Sequence, residues 1–358
     1  MHADALPIDE VMPEILRAMA AGPRLVLAAP PGAGKTTRVP LALAGLLGDP
    51  GVIEGRIILL EPRRVAARMA AERMAASLGE RVGQTIGLTT RVDRKVSKET
   101  HIEVITDGLF TRRILADQEL SGVGAVLFDE FHERRLNADL GLALALEVQS
   151  VLREDLRLLI MSATLDTAAV ARAIDAPVIE SEGRMYPVET RYLGKSDERI
   201  EDRMPKVIRQ ALREEDGSVL VFLPGAREIN RTAEALAGLG PDIILAPLYG
   251  ALSPGEQDAA VSPAPPGKRK IVLATDIAES ALTIEGVRIV IDSGLSRVAE
   301  EDLGGLGSRL TTVRASRASA DQRRGRAGRT APGVCYRLWD EAATRGLMAA
   351  PTPEILVT

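Results

Sequence analysis

The sequence predicts an α/β protein of two tandem domains, each a mostly parallel sheet with helices on both faces. Three observations carry this. Short apolar runs alternate with segments of helical periodicity, as in consecutive βαβ units. The chain has 358 residues, more than one domain of ordinary size needs. Apolar residues make up 46% and aromatics only 3%, so the cores must be filled with Ala, Leu, Ile and Val, the residues of strands buried on both faces.

The elements follow in order. After an amphipathic helix over Leu6–Ala21, strand-like runs occur at Arg24–Ala28, Arg56–Glu61, Ile102–Thr106, Ala125–Asp129 and Leu158–Ser162. Helical patterns fill Lys35–Leu47, Arg64–Ser77, Asp107–Ala116 and Ala138–Leu152 between them. A polar stretch with Gly and Pro, Glu180–Pro187, reads as a linker. A second series then begins: strands at Val188–Leu193, Ser218–Leu223, Asp242–Pro247, Lys270–Thr275 and Arg288–Asp292, helices at Arg199–Arg213 and Ala226–Leu239. Domains are therefore expected over 1–180 and 181–339, and 340–358 reads as the start of a further region that the chain does not contain.

Composition narrows the function classes. A single cysteine, Cys335, excludes a disulfide framework and a cysteine metal cluster. The three histidines, His2, His101 and His132, are too scattered for a metal site. No basic-then-apolar leader and no apolar run of membrane-spanning length is present, which fits a cytoplasmic protein. The net charge is −5, so a nucleic-acid site must be a local groove with its arginines gathered on one surface.

Two motifs carry chemistry. The first strand runs into Pro30-Pro31-Gly32-Ala33-Gly34-Lys35-Thr36-Thr37 and then a helix, the strand–loop–helix context of a phosphate-binding loop. Its backbone N–H groups and the helix N-terminus attract phosphate. Lys35 can reach the β- and γ-phosphates and Thr36 can ligate Mg²⁺. Ala29 stands where the full pattern has Gly. The fourth strand ends in Asp129-Glu130-Phe131-His132, at the strand end where α/β sheets place ligands. Asp129 is the second Mg²⁺ candidate, and Glu130 the group that orients or deprotonates the attacking water.

The order of motifs resembles a superfamily 2 helicase. The phosphate loop, Pro62-Arg63-Arg64, Thr106-Asp107-Gly108, Asp129–His132 and Ser162-Ala163-Thr164 come first. Val221–Gly225, Thr275–Ser280 and Gln322–Arg329 follow. The chain is similar to the DEAH/RNA-helicase-A group, and within it to the bacterial HrpB-type helicases. The resemblance implies two RecA-like domains that hydrolyse ATP, or another NTP, with Mg²⁺ and move 3′ to 5′ along single-stranded RNA, DNA being the alternative. It implies that Gln322, Arg326 and Arg329 act on the γ-phosphate, and that Gly32 to Thr37 hold the phosphates. Arg73 and Leu295 would sandwich the base, Leu295 replacing an aromatic; discrimination among bases would be poor, because the phosphate and Mg²⁺ contacts are the same for every NTP and no adenine-reading glutamine motif precedes the phosphate loop. His132, Ser162 and Thr164 would couple nucleotide state to movement. Nucleic acid would meet Arg63, Arg64, Arg91, Thr106, Gly108 and Thr275. A β-hairpin is expected within Ser296–Ser316, with Gly304–Gly307 at its tip. Phe131 replaces the Ala of the DEAH pattern, a change of subfamily that spares the acids. A nucleotide-switched binding module, or a scaffold with a dead site, is disfavoured because no core catalytic residue is missing.

Overall fold

The computed structural model describes residues 5–163, 167–183, 186–279, 282, 284–301 and 308–356. The chain divides into two compact units, Met1–Arg184 with Thr352–Val357, and Met185–Pro351.

In the first unit the strands are β1 (Arg24–Ala28), β2 (Arg56–Glu61), β3 (Ile86–Thr89), β4 (Arg94–Lys95), β5 (Ile102–Thr106), β6 (Val123–Phe128), β7 (Arg157–Ser162) and β8 (Val178–Glu180). They form one sheet in the order β4-β3-β5-β2-β6-β7-β1-β8, parallel except for the β3–β4 pair. The helices are α1 (Pro7–Ala21), α2 (Lys35–Leu43), α3 (Arg64–Ser77), α4 (Asp107–Ala116), α5 (Leu136–Val151) and α6 (Thr167–Ile174). Alternate strand residues point to opposite faces, and the two cores follow that alternation. Leu25, Leu27, Ile57, Leu59 and Leu127 pack with α1, α2 and α3. Val26, Ile58, Leu60, Val126 and Phe128 pack with α4, α5 and α6. Helices thus cover both faces, as the continuous apolar runs predict.

The second unit holds β9 (Val188–Tyr192), β10 (Ser218–Phe222), β11 (Ile243–Leu248), β12 (Arg269–Ala274), β13 (Val287–Asp292) and β16 (Gly333–Arg337) in an all-parallel sheet, ordered β11-β12-β10-β13-β16-β9. Its helices are α7 (Ile200–Glu214), α8 (Ala226–Ala235), α9 (Pro254–Val261) and α10 (Arg317–Gly325). The expected hairpin is β14 (Leu295–Glu301) paired antiparallel with β15 (Ser308–Arg314); its expected tip, Gly304–Gly307, lies outside the described residues.

Most predicted elements match to within a few residues, and the differences have local causes. The helix expected to reach Leu47 ends at Leu43, because Gly45 takes a left-handed φ of 73° that stops helical propagation. The strand expected over Ala125–Asp129 runs from Val123 to Phe128, leaving Asp129 past the strand end. Near the C-terminus, Glu354 returns to the first unit: its carboxylate accepts from the Leu136 N–H (2.9 Å), and its own N–H donates to the Arg134 carbonyl (3.0 Å). That contact satisfies an orphan donor at the start of α5. Among the described residues no helix is long and apolar enough to cross a membrane.

Candidate nucleotide and nucleic-acid site

The phosphate loop is held from behind by α1. The Ile8 N–H donates to the Ala33 carbonyl (3.0 Å), and Asp9 pairs with Arg38 of α2 (3.0 Å). Gly34, with φ of 96°, is the residue before α2, and a Cβ there would sit 2.7 Å from the Leu6 side chain. Both backbone conformation and space therefore demand glycine at Gly34. Gly32 also has a left-handed φ, 88°. The two glycines turn the chain so that α2 opens on Lys35, Thr36 and Thr37.

Lys35 is buried and its Nζ lies 3.0 Å from Glu130 Oε1 and 3.9 Å from Asp129 Oδ1. The Thr36 hydroxyl donates to Asp129 Oδ2, and the other Asp129 oxygen accepts from the Glu130 N–H (2.8 Å). Burial alone would lower the Lys35 pKa, but Glu130 and Asp129 carry it above its ordinary value. Burial raises the Asp129 carboxyl, with Lys35 opposing and Glu130 reinforcing. Glu130 itself sits at a φ of 49°, a left-handed conformation costly for a residue with a Cβ and concentrated at functional sites. The residues expected to hold phosphate and Mg²⁺ and to activate water are thus in mutual contact. The structure also places His132 beside them: its Nδ1 lies 3.5 Å from Glu130 Oε2 and accepts from the Ala163 N–H (3.3 Å). One ring therefore bridges the acids and the Ser162-Ala163 turn. Thr164, the last residue of that expected coupling set, lies outside the described residues.

The hard oxygen donors fit Mg²⁺: one hydroxyl and one carboxylate, already in contact. Among the described residues no group of three or more His, Cys, Asp or Glu is placed to hold a metal ion.

One acid of this cluster was not singled out in the sequence. Glu61 ends β2, is fully buried, and neither carboxylate oxygen has a hydrogen-bond partner among the described residues. Burial first, then the charges of Asp129 and Glu130, push its carboxyl well above the usual range against the pull of Lys35. Its only sequence signal is an acid at the end of an otherwise apolar strand.

The expected nucleic-acid contacts of the first unit sit at strand ends and helix starts. Arg63 immediately precedes α3 and its Nη2 meets Glu133 (3.4 Å), while Arg64 opens α3 and is exposed. Thr106 precedes α4, with Gly108 in its first turn facing Asn137. Arg91 is exposed between β3 and β4, and Arg73 is exposed on α3. Asp107, beside Thr106, is buried, and burial pushes its carboxyl up to about 7, with Arg135 opposing and Glu133 and Glu354 adding to the rise.

In the second unit Gln322 lies in α10, and Arg326 and Arg329 lie in the turn after it. Arg326 is buried, with Nε donating to the Glu279 carbonyl (2.8 Å) and Nη1 to the Leu282 carbonyl. Arg329 Nη1 approaches that same Leu282 carbonyl (3.4 Å). The two arginines line one small recess with Leu220, Leu282, Ile284 and Val287. Thr275 follows β12, its N–H bonded to the Leu248 carbonyl (3.2 Å). Leu295, the expected base-facing residue, opens β14, and its carbonyl accepts from Arg323 (3.0 Å).

Arg323 is the residue of this unit that sequence reasoning passed over. It is fully buried and donates to Asp292 (2.8 Å), Glu279 (2.6 Å) and Ser296 (2.6 Å), and its guanidinium lies over the Phe222 ring at 5.1 Å. It ties the ends of β10 and β13, the hairpin and the turn at Glu279 into one rigid base for α10.

Comparison with known proteins agrees with this architecture. The "DEAD/DEAH box helicase" family matches residues 9–173, and the "Helicase conserved C-terminal domain" matches residues 202–331. The chain is 51% identical over 98% of its length to the ATP-dependent RNA helicase HrpB of Escherichia coli K12, covering 43% of that protein. It is 38% identical over 98% of its length to the Schizosaccharomyces pombe pre-mRNA-splicing factor ATP-dependent RNA helicase prp22, covering 31% of it. A crystal structure of the Escherichia coli DEAH/RHA helicase HrpB superposes with a TM-score of 0.93 at 50% identity, over 99% of this chain and 45% of that one. The chain thus spans less than half the length of these relatives. With two tandem RecA-like folds, both family matches and the phosphate loop facing its strand-end acids, the chain belongs to the DEAD/DEAH box helicases and is similar to those of the HrpB type.

Proposed function

We propose that the chain is the motor of an ATP-dependent RNA helicase that moves 3′ to 5′ along single-stranded RNA. The observation that carries this is the buried contact of Lys35 with Glu130, beside the contact of Thr36 with Asp129. Incoming phosphates compete for Lys35. As its ammonium turns to the β- and γ-phosphates, Glu130 loses that cation and can accept a proton of the attacking water. The water oxygen then bonds to the γ-phosphorus while the bond to the β–γ bridging oxygen breaks, leaving ADP and inorganic phosphate. Mg²⁺, held by Thr36 and Asp129, would supply charge neutralisation at the phosphates.

Gln322, Arg326 and Arg329 act at the γ-phosphate, the two arginines neutralising the charge that develops on the transferred group. Arg326 must first exchange its carbonyl partners for phosphate oxygens, which makes hydrolysis conditional on a rearrangement. Arg73 and Leu295 cover the base. Arg63, Arg64, Arg91, Thr106, Gly108 and Thr275 grip phosphates and sugars, as suits a motor indifferent to sequence. His132, bonded to the Ala163 N–H and close to Glu130, passes the nucleotide state onward. Steady-state ATP hydrolysis with single-stranded RNA or DNA of equal length tests the reading. RNA should stimulate turnover and DNA should do so less. Equal stimulation would favour a general single-strand translocase, and none by either would exclude the motor assignment.

A further inference from the structure

Resting on that reading, we infer that Glu61 is a positioning residue that links the nucleic-acid-contacting segment Thr106–Gly108 to the catalytic acids Asp129 and Glu130. The placement is set by the sheet. Glu61 ends the strand that lies between β5 and β6, and it pairs in register with Thr106 of β5. On its other side the Asp129 N–H donates to the carbonyl of Leu60, the residue before Glu61 (3.1 Å). Glu61 therefore stands between the two functional strand ends, opposite Thr106 on one side and next to the Leu60 carbonyl that meets Asp129 on the other.

Its chemistry is wrong for a purely structural position. Every strand residue before it on β2 from Ile57 to Leu60 is apolar and buried. Glu61 is equally buried, yet no described residue donates a hydrogen bond to either oxygen. A buried polar group without a partner destabilises the fold, and an apolar side chain of the same size would remove that cost. Asp107, within the contacting segment, also carries a buried oxygen without a partner (Oδ2). Two such acids lie between the nucleic-acid contacts and the hydrolytic site. The charges that act on Glu61 come from both sides, Asp129, Glu130 and Lys35 on one and Asp107 on the other. A shift of Thr106–Gly108 on binding RNA offers Glu61 a partner, and that contact moves the adjoining strand end that carries Asp129 and Glu130.

The test uses Glu61→Met, which keeps the volume and removes the polar atoms, and Glu61→Gln, which keeps hydrogen-bonding atoms. Each is compared with wild type for melting temperature and for the kcat and KM of ATP hydrolysis, with and without single-stranded RNA. Glu61→Met should melt at least ~2 °C higher, a size expected from removing one unsatisfied buried group in a domain of this size. The ratio of RNA-stimulated to basal kcat should fall at least tenfold, while KM for ATP changes less than twofold. Glu61→Gln should restore at least a third of the stimulated rate. A lower melting temperature for Glu61→Met would mean that the carboxyl is structurally satisfied and would overturn the proposal, as would full RNA stimulation in that variant. Wild type without RNA stimulation sinks the motor reading instead, and the link through Glu61 with it.

Discussion

At the scale of single residues, two side chains make the site's demands measurable. Asp107 opens α4, where the helix dipole favours a negative charge, yet burial outweighs it and holds the carboxyl up to about 7. A raised carboxyl pKa means that the folded state binds the proton more tightly than the unfolded one. Its stabilising contribution is full below the unfolded value near 4 and is lost as pH rises through about 7. Asp107→Asn should therefore flatten the fall in melting temperature between pH 5.5 and pH 8, and an unchanged slope in thermal denaturation would remove Asp107 as its source. Arg326 is held by the Glu279 and Leu282 carbonyls. Lysine can keep the charge but not the planar fork. Arg326→Lys should slow hydrolysis by ~10²-fold or more, toward the ~10³ of a full arginine finger, with ADP affinity within about threefold of wild type by titration. A large loss of ADP affinity would reassign Arg326 to nucleotide binding.

At the scale of elements, the phosphate loop depends on the helix packed behind it. Ile8, Met12, Ile15 and Met19 bury one face of α1 against the sheet core, and the Ile8 N–H fixes the loop at Ala33. Ile8→Ala should cost ~2–5 kcal/mol, as cavity-forming core substitutions do. It should also weaken nucleotide binding more than Ile15→Ala, about two helical turns farther along the same face; equal weakening would show that α1 acts only through general stability.

This level also shows what could be read in advance. Strands β1, β2 and β5 and helices α3 and α4 were legible to the residue, because apolar runs bounded by Gly, Pro or charge leave little choice of register. Strands β3, β4, β8 and β16 and helices α6, α9 and α10 were not. β4 has two residues and β8 three, too short for any periodicity. The chemistry of the site divides in the same way. Lys35, Thr36, Asp129 and Glu130 sit in motifs whose spacing announces them. Glu61 and Arg323 gain meaning only from three-dimensional neighbours. A glutamate at a strand end reads as a solvated boundary, and one arginine in Gln322–Arg329 looks like its companions until Asp292 and Glu279 are seen to close around it.

At the scale of the whole molecule, the proposed function asks each unit for part of one chemistry. The first carries the loop, the acids and the Arg63, Thr106 and Gly108 positions proposed to meet nucleic acid. The second carries Gln322, Arg326 and Arg329 on a base locked by Arg323. The chain spans 43% of its Escherichia coli relative, so hydrolysis is the activity to ask of it before duplex unwinding. The central claim is that Glu130, freed from Lys35 by bound phosphate, activates the water. The most direct test is ATP hydrolysis by wild type and Glu130→Gln at saturating single-stranded RNA, with nucleotide affinity measured in parallel. Turnover should fall by ~10²–10⁴-fold, the range for losing a general base, while affinity stays the same or rises, since Lys35 no longer has to leave a carboxylate. Turnover within tenfold of wild type would contradict the claim and pass the role to another group.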